Sequence, residues 1–107
     1  MQKTDGSKFD YGKTMWNLLD YVAIEDVAKV LTFGANKYSA DNWKKVPDAQ
    51  ERYFAAAMRH LTQWRNGEAV DSETNISHLA HAMCNLMFLH NFDRVKVEIN
   101  YEGFKND

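Results

Sequence analysis

Apolar residues recur at helical spacing in two neighbouring stretches, Tyr53-Phe54-Ala57-Met58-Leu61-Trp64 and Ile76-Leu79-Met83-Leu86-Met87-Phe92. Only a short polar link, Glu68 to Thr74, lies between them. A connection that short makes the two helices antiparallel neighbours, each burying its stripe against the other. Asp48, which follows Pro47, suits the cap of the first helix, and Asn66-Gly67 suits its end. The second helix is expected from about Asn75 to Phe92. Ser72 or Thr74 would cap it, and Asp71 and Glu73 would favour the positive end of its dipole.

Upstream, Val22, Val27, Val30 and Leu31 approach the same period and predict a helix over Tyr21 to Phe33, closed by Gly34. Ala35 to Pro47 has no period and reads as a loop, with Lys37-Tyr38, Asn42-Trp43 and Lys44-Lys45 in it. After Phe92 the chain alternates strictly from Arg94 to Tyr101, which predicts a strand. A lone strand needs a partner, either the N-terminal arm or another subunit. The expected fold class is therefore all-α: three principal helices with an extended, strand-forming C-terminal tail. One domain is expected, with a polar arm over 1–13, a helical core over 14–92 and the tail over 93–107.

Composition narrows the function. At 107 residues, with 45% hydrophobic and 26% charged residues, the chain can support one core. A net charge of -2 and no basic run disfavour general nucleic-acid binding. Cys84 has no partner for an intrachain disulfide, which suits a reducing compartment. The N-terminus has no apolar leader and no segment is apolar for long enough to span a bilayer, so a soluble cytoplasmic protein is expected.

The densest chemistry lies between Arg59 and Asn85, where Arg59-His60, Asp71, Glu73, His78 and His81 crowd together. Two histidines three apart on a helix can reach one ion, and carboxylates from the link plus His60 would complete a divalent metal site. The same spacing also suits dipole partners, solvated helix histidines and a hydrogen-bonded core histidine. Lys13, Lys37, Arg59 and Arg52 can bind phosphate or serve as surface charges; Tyr38 and Trp43 can stack a base or anchor the loop. Glu25-Asp26 is a lesser acidic pair on the first helix.

The ordered set Asp10-Tyr11-Gly12-Lys13, Trp16-Asn17-Leu18-Leu19, Ala28 through Tyr38, Asn42-Trp43, Arg59-His60-Leu61, Gly67-Glu68, Asp71-Ser72-Glu73-Thr74 and His78-Leu79-Ala80-His81-Ala82 carries a resemblance. It resembles the N-terminal domain family of phage dATP/dGTP pyrophosphohydrolases, grouped with the MazG-like all-α nucleotide pyrophosphohydrolases, over about residues 8 to 92. The resemblance implies hydrolysis of purine deoxynucleoside triphosphates to monophosphate and pyrophosphate, with Mg²⁺ or Mn²⁺ as cofactor. It places Asp71, Glu73 and His78 at the metal, and His60 or His81 as base. Lys13, Lys37 and Arg59 would hold the triphosphate, and Asn42 and Trp43 would lie near sugar or base. It also implies a dimer or tetramer. The Glu-Glu-x-x-Glu and Glu-x-x-Asp helices of the better-known relatives are absent from this sequence, with Arg59-His60 and His78-x-x-His81 in their place.

The alternative reading is a non-catalytic module that binds a nucleotide or signalling molecule, or a phage protein that acts on a host protein. A third is a structural interaction protein built on the helices.

Overall fold

The computed structural model describes residues 11–105, and side chains as far as Val95. Most of the polar arm and the side chains of 96–105 fall outside that description. Three helices dominate: α1 (Tyr21–Lys37), α2 (Ala49–Arg65) and α3 (His78–Lys105). Short 3-10 turns occur at Trp16–Leu18 and Asn42–Lys44. Among the described residues there is no strand, only an isolated bridge between Val70 and Ser77. The chain is all-α.

The helix α2 lies against α3 and supplies the main contact, while α1 leans on α3. Tyr53 at the start of α2 meets Phe88 and Phe92 near the middle of α3, whereas His60, toward the end of α2, meets His78 and His81 at the start of α3. That pairing makes the helices antiparallel, as the short link requires. Small residues permit the close approach, since Ala57, Ala80, Ala82 and Cys84 are all buried. Phe88 is the one large apolar side chain among the buried residues.

Local signals differ from expectation at four places. Gly34 does not end α1; its carbonyl accepts from the Tyr38 amide at 2.9 Å and the helix runs on to Lys37. A glycine costs only about 1 kcal/mol inside a helix, and packing overrides that. Asp48 adopts φ 53° and makes no side-chain cap; its carbonyl receives the Arg52 amide instead. Neither Ser72 nor Thr74 caps α3, because the link folds back on itself and the helix begins later. Ser77 takes that role, its Oγ accepting from the amides of Leu79 and Ala80 at 3.1 and 3.4 Å. Replacing Ser77 with alanine is expected to cost about 1 kcal/mol in denaturant unfolding, the usual value of an N-cap.

The expected strand from Arg94 to Tyr101 is also corrected, because α3 continues to Lys105. A helix closes its own backbone hydrogen bonds, whereas an isolated strand leaves them open. Alternation over so short a stretch is outweighed by propagation from the helix already formed.

Candidate functional site

The link between α2 and α3 is built to hold one carboxylate still. Gly67 takes φ 98° to turn the chain out of α2, and Asn75 takes φ 59° to turn it back. Between them Asp71 Oδ1 accepts from the amides of Glu73 and Thr74 at 2.9 and 3.0 Å. The Asp71 amide donates to the Ile76 carbonyl, and the His78 amide to the Ala69 carbonyl, both at 2.9 Å. The closed link sets Asp71 against the first turn of α3 and the middle of α2.

Three imidazoles meet there. The His60 and His78 Nδ1 atoms lie 2.9 Å apart, and the His60 and His81 rings stack at 4.5 Å with planes 9° apart. His81 Nε2 is 2.7 Å from the Thr74 hydroxyl, which also receives the Ile76 amide. His78 is fully buried, and its Nε2 faces Glu68 Oε1 at 3.4 Å without forming a hydrogen bond. A bare lone pair toward that carboxylate would be repelled, so His78 carries a proton on Nε2. Its Nδ1 then accepts from His60 Nδ1–H, which leaves the His60 Nε2 lone pair available.

Burial is the largest cause pushing the His60 pKa below its ordinary value, and the neighbouring His81 and His78 push the same way. His81 is likewise lowered, chiefly by burial and against the pull of Asp71. For Asp71, burial pushes the pKa up, but the Thr74 and Glu73 amides and the nearby imidazoles outweigh it and hold the carboxyl below its usual range. His60 and His81 are thus poised neutral beside an ionised carboxylate. Cys84, pushed up to about 11 by burial, stays a thiol and is no nucleophile.

The sign of the pH effect on stability follows. The folded His60 and His81 bind protons less readily than the unfolded chain, whose histidines titrate near 6.5. Stability is fully present above that pH and is lost as pH falls below it, and the depressed Asp71 adds a further loss in more acidic solution. Melting temperatures recorded from about pH 8 down to about pH 5 are expected to fall, most steeply below about pH 6.5. The decline should flatten in His60→Gln.

A cavity of about 540 Å³ opens above this floor between α1, α2, α3 and the 38–48 segment that joins α1 to α2. His60, Asp71 and His81 line it, and so do Lys37, Asn42, Trp43, Arg59 and Glu73. Of the residues singled out in the sequence, four do not line it: His78, Lys13, Glu25 and Asp26. His78 sits behind His60 rather than on the wall, and Lys13 is exposed and does not line the cavity. Glu73 stands at the rim, paired with Lys37 at 3.5 Å, and is not among the residues that gather as ligands. That gathering consists of His60, Asp71 and His78, whose donor atoms lie within 4.8 Å of one another. Asp26 pairs with Lys29, and neither it nor Glu25 reaches the cavity.

Trp43 stacks on Phe88 at 4.5 Å, Lys44 Nζ lies over its ring, and its carbonyl receives the Tyr53 hydroxyl at 2.7 Å. It anchors the loop. Tyr38, more than half exposed, is the freer ring at the cavity mouth. Sequence reasoning gave no role to Glu68 behind His78, and it read Thr74 as a helix cap rather than as the hydroxyl beside His81. Neither carries a periodic signal, and only the closed link brings them in. No helix among the described residues is long and apolar enough to cross a membrane.

Comparison with known proteins bears on these residues. No solved structure matches the chain. A protein of Salmonella phage PMBT28 named "dATP/dGTP diphosphohydrolase" is 39% identical over 84 residues, which covers 78% of this chain. The chain spans only 28% of that relative's length. The family described as "dATP/dGTP diphosphohydrolase, N-terminal" matches residues 3–102. Nearly the whole chain, including every residue of the cavity floor, lies within that match, and the chain belongs to this family.

Proposed function

We propose that the protein is a phage nucleotide-metabolism enzyme that hydrolyses dATP and dGTP to the monophosphate and pyrophosphate with the help of a divalent metal ion. The observation that carries this reading is one cavity of about 540 Å³ whose lining combines the cations Lys37, Arg52 and Arg59 with His60, His81 and Asp71. Its size suits a nucleotide, since small-molecule sites span about 300–1,000 Å³. The named phage relative supports the class of substrate.

In this reading Arg59 grips phosphate oxygens through its planar fork, and Lys37 adds a mobile charge. Asn42 and Tyr38 lie toward the sugar and base, with Trp43 fixing the loop that carries Asn42. The donor set at the floor fits a divalent ion, Mg²⁺ or Mn²⁺ by family resemblance, and His60, His78 and Asp71 would hold it. Such an ion neutralises phosphate charge and acidifies water. His81, neutral and fixed by Thr74, is placed to accept a proton from the attacking water, whereas His60 gives its one lone pair to the ion. The setting is the host cytoplasm. Exposed apolar side chains on α2 and α3, Phe54, Met58 and Leu86 among them, support assembly into a dimer or tetramer.

Pyrophosphate release across a panel of deoxynucleoside triphosphates with Mg²⁺ or Mn²⁺ tests the reading. Turnover of dATP and dGTP is expected, and no turnover of any nucleotide would sink it. A second reading, a nucleotide-binding module, draws on the single carboxylate among the gathered ligands. Calorimetry that recovers tightly bound nucleotide unchanged would favour it.

A further inference from the structure

We infer that His60, His78 and Asp71 form a resident-ion site selective for a divalent transition metal of the zinc and cobalt class over magnesium. The inference deepens the metal-dependent reading above and rests on it only for the ion's use in catalysis.

Donor chemistry is the first reason. Two imidazoles and one carboxylate come within 4.8 Å of one another. Magnesium prefers oxygen donors and retains its waters, whereas imidazole nitrogen suits transition metals. The Nδ1 atoms of His60 and His78, 2.9 Å apart, are spaced as neighbouring donors on one ion would be, given metal–nitrogen bonds of about 2.0–2.1 Å. The proton they now share can move to His60 Nε2, so both rings can offer a lone pair and stay neutral.

The surroundings of the ligands are the second reason. Metal-binding histidines are commonly oriented by a carboxylate at the other ring nitrogen. Glu68 stands 3.4 Å from His78 Nε2, a fully buried atom with no hydrogen bond of its own. Asp71 Oδ1 is occupied by two backbone amides, which fixes the carboxylate and leaves Oδ2 for an ion. A buried histidine backed by a carboxylate and a carboxylate held by its own loop are the two supports that a metal site needs. Neither is required to stack two helices.

The test uses the full chain without nucleotide. Zn²⁺ and Co²⁺ are titrated by calorimetry at about pH 7.5, where imidazole is neutral, and the visible absorption of Co²⁺ is recorded. A single ion per chain is expected, and an excess of Mg²⁺ on the order of a hundredfold should not displace it. His60→Gln and Asp71→Asn should weaken binding at least tenfold. Glu68→Gln should weaken it by about tenfold, in the range of orienting carboxylates, without moving the melting temperature of the metal-free chain. His90→Gln, on an exposed histidine outside the group, should leave binding unchanged. The inference is overturned if the parent chain binds no stoichiometric ion, if Mg²⁺ displaces it, or if His60→Gln and Glu68→Gln bind as tightly as the parent. Intact Zn²⁺ binding without nucleotide turnover would remove the hydrolase reading and leave this site standing.

Discussion

Asp71→Asn is expected to lower pyrophosphate release by about 10²–10³-fold, the usual loss when one preorganised charge-stabilising group leaves an active site. The substitution keeps the shape of the side chain. Its amide oxygen can still accept from Glu73 and Thr74, so the link that turns α2 into α3 remains closed. What disappears is the negative charge that a metal ion requires. Charge-assisted hydrogen bonds become neutral ones, and the stability cost should stay near 1 kcal/mol. Rate and fold therefore separate. Steady-state kinetics alongside denaturant unfolding would show a large change in the first and a small one in the second. Equal collapse of both would make Asp71 a structural residue only.

The largest stability effect is expected at Phe88. Its ring stacks on Trp43 at 4.5 Å and tilts against Tyr53 at 4.8 Å, and it is the buried aromatic that ties the Asn42–Lys44 turn to α2 and α3. Phe88→Ala should cost about 3–5 kcal/mol, combining lost burial with the cavity left behind. A domain of this size has only about 5–15 kcal/mol in total. Because Trp43 loses its platform, the loop carrying Asn42 should loosen and KM for nucleotide should rise. Phe88→Leu, closer in volume, should cost less, on the order of 1.5 kcal/mol or below. Urea unfolding of the two variants measures both costs. Equal stability of Phe88→Ala and the parent would show that the Trp43 turn is held by other contacts.

Much of this architecture is legible in the sequence because helices announce themselves by period. The helices α2 and α3, and the short link that makes them antiparallel, come straight from the apolar spacing, but the buried face does not. Leu79, Met83, Leu86 and Met87 of the expected α3 stripe are exposed, and Ala80, Cys84 and Phe88 are buried instead. Chain ends and caps are harder. Gly34 suits a helix end and yet sits inside α1, since its local cost is small against the contact between α1 and α3. Arg94 to Tyr101 alternates like a strand and yet continues α3, since a strand there has nothing to pair with among the described residues.

The site shows the same division. Arg59, His60, Asp71 and His81 can be grouped from their density alone, and the structure brings them to one cavity. The inner position of His78 and the rim position of Glu73 cannot be read that way. They depend on how the Asp71 turn winds, which is fixed by backbone hydrogen bonds and two left-handed residues rather than by side-chain type. Glu68 is the clearest example. Its value lies in facing a buried imidazole nitrogen, a relation that no spacing rule contains.

The central claim is that the cavity between the three helices is the nucleotide and metal site. A crystal of the full chain soaked with Mn²⁺ and a non-hydrolysable dGTP analogue tests it most directly. The account predicts an ion against His60, His78 and Asp71, with the triphosphate running along Arg59 and Lys37. An ion at Glu25 and Asp26, or an analogue bound outside the cavity, would contradict it.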